Sequence, residues 1–357
     1  MLRELLVGLA LGVVCTANGE IARTARPHGD AKAVAGTANA KPIVIAHRGA
    51  SGYLPEHTLP AKALAYAMGA DYLEQDVVLT KDDVPVVLHD TQIDTVTDVA
   101  TRFPERKRED GRYYAIDFTL AELKELQWTE RLNYRNGQQT YPARFPAWSS
   151  RFSIVTLEEE LQFIQGLNKS TARTVGIYPE IKSPRWHRQQ GRDLSRTVLE
   201  VLARYGYRSK TDPVYVQCFD FSEVKRIRQE LGYQGRLILL LGDKLGSDNT
   251  DYAYFKTKAG LAEAAKVADG IGPSLSHIVT GTTRETVVIT DLVRDAHALN
   301  LEVHPYTARA DVLPAYATSL EQMLSLFFEK AGVDGMFTDH PDRLVDFLRS
   351  RAPVNRR

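Results

Sequence analysis

"PIVIAHRGASGYLPEHTLPAKALAYAMGADYLEQDVVLTKDDVPVVLHD" runs from Pro42 to Asp90, and its reading decides the fold. Pro42–Ala46 is a continuous apolar run, as expected of a strand covered on both faces. Thr58–Gly69 reads as a helix, with Thr58 as N-cap, Pro60 in the first turn and Gly69 as the stop. Tyr72–Thr80 is the next strand. Strand, helix and strand in that order demand a parallel return. Val84–Asp90 is strand-like again, but only "KDD" separates it from Thr80. That link is too short for a parallel crossover, so it predicts a hairpin antiparallel to the second strand. A turn centred near Asp82-Asp83 pairs Thr80 with about Pro85 and Asp76 with about His89.

The alternation continues outward. Strands are expected at 174–181, 214–218, 236–241, 269–273, 301–307 and 335–339, with amphipathic helices between most of them, such as 220–231 and 290–300. Eight such units predict an α/β (β/α)8 TIM barrel over residues 41–350, with an open doubly wound sheet as the structural alternative. "HRGASG" after the first strand is not a dinucleotide-binding G-x-G-x-x-G. Residues 91–155 break the repeat. They are rich in Arg, Tyr, Phe and Pro, and predict an inserted subdomain after the hairpin, either a cap over the site or a surface decoration. Capping boxes at Thr119/Glu122 and Thr156/Glu159 start a helix inside the insertion and the helix that resumes the barrel.

The 357-residue chain is 43% hydrophobic and 25% charged with zero formal net charge, an ordinary soluble composition. There is no basic excess, so nucleic acid is not an expected partner. Met1-Leu2-Arg3 followed by "LLVGLALGVVC" and small polar residues reads as a signal peptide over about 1–17, too short for a stable membrane span. This predicts export to the periplasm or beyond. Lipid anchoring through Cys15 is the lesser alternative, because Gly12-Val13-Val14 fits a lipobox poorly. Residues 18–40 read as a flexible lead-in. Beyond them only Cys218 remains, so no internal disulfide is available. Oligomeric state is not legible.

Glu74 and Asp76 are two apart on a strand and share one face. Glu180 ends the following barrel strand beside them. Three carboxylates suit Mg²⁺ or Ca²⁺, and an ion-pair cluster with Arg48 and Lys182 explains the same spacing. His47 ends the first strand and His89 folds back on the hairpin, so the pair can act as acid and base. Arg48 offers a fork for phosphate oxygens and Lys182 a point charge. Acids for a metal, cations for an anion and paired histidines together describe phosphoryl chemistry. His304 and Tyr306 share a face near the seventh barrel strand's end and are candidates to line the pocket. His57, ahead of an N-cap, reads as structural. No G-x-S-x-G elbow is present, which disfavours a serine hydrolase.

These motifs resemble the bacterial glycerophosphodiester phosphodiesterases, most closely the periplasmic type. The resemblance starts at "HRGASGYLPEHTLPA" and "GADYLEQDVVLTKDDVPVVLHD". It continues through "GIYPEIKSP", "VYVQCFD", "VHPYT" and "GVDGMFTDHPD". It implies a TIM barrel with an insertion after the hairpin. It implies a divalent cation, often Ca²⁺, on Glu74, Asp76 and Glu180. It also implies His47 and His89 as the acid–base pair, with Arg48 and Lys182 on the phosphate. The implied reaction hydrolyses deacylated phospholipids to sn-glycerol 3-phosphate and an alcohol. Many relatives carry Asn where this chain has His57, and the stretch Gly242–Tyr254 is shorter than in the best-known members. The polar insertion ("FPERKREDGR") favours soluble head-group substrates over a related barrel lyase of the phospholipase or sphingomyelinase D type. A surface binding protein on a barrel that has lost catalysis is the reading from another class.

Overall fold

A computed structural model describes residues 41–351. The expected signal peptide, lead-in and Cys15 lie outside the described residues. The strands are β1 (Ile43–Ala46), β2 (Tyr72–Leu79), β3 (Pro85–Val87), β4 (Gly176–Ile181), β5 (Tyr215–Cys218), β6 (Arg236–Leu241), β7 (Gly270–Pro273), β8 (Val279–Thr280), β9 (Val288–Ile289), β10 (Glu302–Val303) and β11 (Gly335–Thr338). The sheet order is β10-β7-β6-β5-β4-β2-β1-β11, all parallel along this path, and β3 pairs antiparallel with β2. Backbone hydrogen bonds from Asp334 N–H to Val303 O and from Phe337 N–H to Pro305 O bring β11 back to β10. The result is a nearly closed eight-stranded barrel with helices outside, the expected TIM architecture.

The local signals hold. The first helix, Leu59–Met68, is capped by the Thr58 hydroxyl on Ala61 N–H and stopped by Gly69 at φ 94°. Both capping boxes form, at Leu120–Glu125 and at Leu157–Thr171. At the bottom of the barrel an aspartate preceding a strand repeatedly caps its neighbour. Asp71 accepts from Val44 N–H (2.8 Å), Asp269 from Leu237 N–H (2.9 Å) and Asp334 from Val303 N–H (2.8 Å). These carboxylates satisfy amides at the strand starts, so they register the barrel on the face away from its mouth.

Two expectations need correction. The hairpin is one residue out of the expected register, because Val77 pairs with Val87 and Leu79 with Pro85. Asp76 therefore faces Leu88, whose N–H donates to its carbonyl (2.8 Å). Leu88 joins Val78 and Val86 in an apolar cluster, and His89 lies past the end of β3. A one-residue slip exchanges the two faces of a strand, so His89 reaches the site by the turn of the chain and not by ladder pairing. Secondly, of the strand expected over 301–307 only Glu302–Val303 is regular: Pro305 supplies no amide, although His304 N–H and Tyr306 N–H still reach Ile271 O and Pro273 O.

The insertion has its own core. Ile93, Val96, Val99, Tyr113, Phe118, Leu123, Trp128 and Ile154 pack on the hairpin residues Val78, Val86 and Leu88. Its helices are short, with Val99–Arg102 joining the expected Leu120–Glu125. The main barrel cluster is separate from it.

Candidate active site

The barrel mouth is built on one row of registered residues. Asp76 on β2 faces Glu180 on β4, and Glu180 faces Gln217 on β5. Glu74, two residues before Asp76, points the same way. Carboxylate oxygens of Glu74, Asp76 and Glu180 all lie within 4.8 Å of one another, and all three residues are buried. The Gln217 amide donates to Glu74 Oε1 (3.0 Å), which leaves its own carbonyl oxygen buried and unpartnered. Asp76 Oδ1 is likewise without a hydrogen-bond donor. Orphaned oxygens are costly away from water, and Asp76 Oδ1 belongs to the carboxylate cluster itself.

The electrostatics agree. Burial, then the charge of Asp76, push Glu74 well above the ordinary carboxylate range, while Arg48 opposes. Burial pushes Glu180 up to about 8 against the pull of Lys182. Asp76 is held low; burial opposes this, but Lys182 and the two histidines 89 and 57 prevail. Glu74 and Glu180 are thus pushed to hold protons that a cation would replace. Oxygen donors of this kind fit a hard divalent ion. Lys182 Nζ lies 2.7 Å from Glu180 Oε1 and 3.7 Å from Asp76 Oδ1, and Arg48 Nε lies 3.4 Å from Asp76 Oδ2. The ion-pair cluster and the cation site are therefore one place.

His47 follows β1 and is still held to β11 by its N–H on Thr338 O (2.9 Å). Register places it opposite Asp339, whose Oδ1 is 2.6 Å from His47 Nδ1. An ionised carboxylate only accepts, so Nδ1 carries the proton and Nε2 keeps its lone pair. Burial and the Arg48 charge pull His47 down to about 4. Its Nε2 is 3.9 Å from Glu74 Oε2. His89 has the same arrangement in one dipeptide, with Nδ1 2.6 Å from Asp90 Oδ1. Burial, then Arg48 and Lys182, lower it too.

Arg48 sits in the left-handed region (φ 58°), which turns its own N–H onto Glu74 Oε2 (2.8 Å). His57 is not merely a loop residue. Its Nε2 is 2.7 Å from Asp76 Oδ2, and its φ of 62° is a conformation that Asn and His adopt more readily than most residues. Behind β2, buried Lys62 bonds Glu160 (2.6 Å) and the Glu74 carbonyl, while Gln75 donates to the same Glu160 oxygen (2.8 Å). This polar knot fixes the strand that carries both acids.

A cleft of about 700 Å³ opens over these groups. His47, Arg48, Glu74, Asp76, His89, Glu180 and Lys182 line one side, with Phe219, Leu240, Leu275, Val279, Tyr306 and Tyr316 among the residues opposite. Tyr306 faces it as expected, its hydroxyl donating to Leu241 O (2.9 Å). His304 does not. It lies one layer deeper, 1% exposed, with Nδ1 2.9 Å from the Tyr178 hydroxyl and its ring edge-on to Tyr215. The two residues share a face but not a layer, and His304 fills the barrel interior. The lining of this cleft includes no residue of 91–155; a smaller cavity that shares His47, Arg48 and His89 with it is lined by Arg131, Tyr141 and Arg144 of the insertion. Cys218 is buried, its thiol pushed up by burial. Among the described residues no helix is long and apolar enough to cross a membrane.

Sequence reasoning assigned no specific role to Gln217, Asp339 or Asp90, and read His57 as structural. The first two follow from strand register and barrel closure. Asp90 stands next to His89 in "LHD", where adjacency was a usable signal.

A parallel barrel that gathers three acids, two carboxylate-held histidines and two cations at its C-terminal mouth defines the class, an enzyme of phosphoryl chemistry. The comparisons with known proteins specify it. Residues 47–343 match the Glycerophosphoryl diester phosphodiesterase family, and the chain belongs to that family. It is 48% identical over 326 residues to the glycerophosphodiester phosphodiesterase of Haemophilus influenzae, covering 86% of this chain and 90% of the relative. It is 40% identical over 334 residues to that of Treponema pallidum, covering 88% and 94%. Among solved structures, a putative glycerophosphoryl diester phosphodiesterase from Silicibacter pomeroyi superposes with a TM-score of 0.64 at 23% identity, covering 87% of this chain and 94% of the other. A phosphodiesterase from Oleispira antarctica, in complex with the product sn-glycerol-3-phosphate, superposes at 0.57 with 21% identity, covering 86% and 97%.

Proposed function

We propose that this enzyme hydrolyses glycerophosphodiesters, the deacylated forms of phospholipids, to sn-glycerol 3-phosphate and an alcohol. Glu74, Asp76 and Glu180 would hold a divalent cation, with Ca²⁺ the first choice and Mg²⁺ the alternative. The observation that carries this reading is the pair of histidines beside the triad, each with Nδ1 on a carboxylate 2.6 Å away. Bound there, the cation would polarise a phosphate oxygen and neutralise developing charge. Arg48 and Lys182 face the same space and would hold the remaining phosphate oxygens. One histidine takes a proton from the attacking oxygen on its free Nε2; the other, as imidazolium with a proton on Nε2 as well as Nδ1, gives that proton to the alkoxide as the P–O bond to the alcohol breaks. The families of the relatives and the product bound by the Oleispira antarctica protein support the choice of substrate. Tyr306 would contribute to the wall for the alcohol group. The N-terminal pattern supports a periplasmic or secreted location, with lipidation at Cys15 as the lesser alternative.

The test is release of glycerol 3-phosphate from glycerophosphocholine, with and without chelator, by the wild-type protein and His47→Ala. Release that needs the metal and His47 is expected. Full activity in chelator, or in His47→Ala, would overturn the assignment. Choline release from lysophosphatidylcholine in place of glycerophosphocholine would identify a D-type lyase instead.

A further inference from the structure

The insertion touches the site only from behind the histidines, and it does so twice in the same way. Each His–Asp pair uses one carboxylate oxygen for the imidazole and the other for an arginine from residues 91–155. Asp90 receives His89 on Oδ1 and Arg131 Nη1 on Oδ2 (2.5 Å). Asp339 receives His47 on Oδ1 and Arg144 Nη2 on Oδ2 (2.7 Å). The barrel's own Arg309 shares that second oxygen of Asp339 (2.8 Å).

Both insertion arginines are anchored at their other nitrogens. Arg131 makes a two-pronged contact with Glu56, with Nε 3.0 Å from Oε2, and the same Oε2 takes Arg48 Nη1 (2.9 Å). Arg144 binds Asp311 (Nε to Oδ2, 2.8 Å) and the Ser51 carbonyl (3.2 Å), and its guanidinium stacks over Tyr141. Their side chains are 16% and 4% exposed. Backbone bonds from Thr129 N–H to Val96 O and from Leu132 N–H to Thr95 O fix the segment on either side of Arg131. Buried guanidinium forks bonded on two sides are poor candidates for incidental surface pairs.

We propose that Arg131 and Arg144 are positioning residues for the two histidines, and that the insertion exists in part to supply them. The inference rests on the histidines being the acid–base pair. A carboxylate with one oxygen pinned cannot rotate away from the imidazole, and it stays ionised, so the Nδ1–H form of each ring and the direction of its Nε2 are both fixed. Neither arginine touches Glu74, Asp76 or Glu180, so cation binding should be independent of them.

The test compares Arg131→Ala, Arg144→Ala and the corresponding Lys variants with wild type, all as full-length metal-loaded protein. Arg108→Ala serves as the insertion control, since Arg108 pairs with Asp117 and stacks on Tyr114. We expect kcat to fall about 10–100-fold in each Ala variant, as for partners that orient active groups from the next layer out. The metal affinity should stay within about twofold in both, and KM for glycerophosphocholine within about twofold in Arg144→Ala, as a positioning role requires; Arg131 shares Glu56 with Arg48, so its variant is read by kcat and metal affinity. Added guanidinium should restore part of kcat, while sodium chloride at equal ionic strength should not. An aryl leaving group should relieve the loss in one variant only, the one whose histidine protonates the alkoxide, because a good leaving group needs no acid. Unchanged kcat in both Ala variants would overturn the proposal. So would a kcat loss that guanidinium leaves untouched and that tracks lowered thermal stability. If His47→Ala and His89→Ala are themselves active, the acid–base reading has failed. If they are inactive while the arginine variants are normal, only this inference has failed.

Discussion

The two sides of the barrel mouth are made differently. One side draws His47, Arg48, Glu180 and Lys182 from the ends of β1 and β4, and Glu74 and Asp76 from within β2, with Gln217 on β5. Opposite, Leu240 lies one residue before the end of β6, and Leu275, Val279, Tyr306, Pro314 and Tyr316 come largely from the segments after β7 and β10. Registered strands hold groups to a fraction of an ångström, which proton transfer and cation binding need. Apolar contacts from connecting segments tolerate slack and can accommodate different alcohols. The first side should therefore govern kcat and metal binding, and the second should govern KM and the choice among head groups.

The strongest way to break this division is at the acids. Glu74→Ala or Asp76→Ala should lower kcat/KM by about 10³-fold or more, since several kcal/mol of charge stabilisation goes with the cation. Steady-state kinetics with metal titration measures it, and wild-type activity with an unchanged metal dependence would mean that the triad is not the site. Next, His47→Ala and His89→Ala should each cost about 10²–10⁴ in kcat with metal affinity retained, read by kinetics beside calorimetric metal binding.

A smaller effect sharpens the electrostatics. Burial raises Glu74 well above its usual range and Glu180 to about 8, so in the metal-free protein both hold protons at lower pH. A cation must displace those protons, so affinity should be weaker at pH 6 than at pH 8 and binding should release protons. Calorimetry in two buffers of different ionisation enthalpy reports the release. Equal affinities and no proton release would show that the acids are already ionised. Smallest of all, Leu275→Ala on the second side should change KM by about tenfold or less and shift the ranking of glycerophosphodiesters, with kcat within about twofold. A large fall in kcat there would erase the division.

Much of the first side was legible along the chain. Glu74 and Asp76 share a face because a strand repeats every two residues, and a three-residue link can only turn a hairpin. The hairpin's register was not legible, because a shift of one residue satisfies the same turn with the opposite face. His304 shows a second limit, since it and Tyr306 share a face as expected. Which of them reaches the cleft depends on depth in the barrel, and the tilt of eight strands sets that depth.

The alternation of apolar runs and amphipathic helices by itself determined a parallel α/β sheet, which closes into a barrel only where the last strand meets the first and its neighbour, and the period of two brought the acids together. Only the tertiary structure decided which carboxylate holds His47. Asp339 lies 292 residues away, and it becomes a neighbour only because the last strand closes against the first. It alone also brought two arginines of the insertion onto the carboxylates behind the histidines. Arg131 and Arg144 are two among many arginines in residues 91–155, and no local pattern marks them. Their partners Asp90 and Asp339 are set beside them by packing, since contacts between distant segments carry no periodicity that the chain could display.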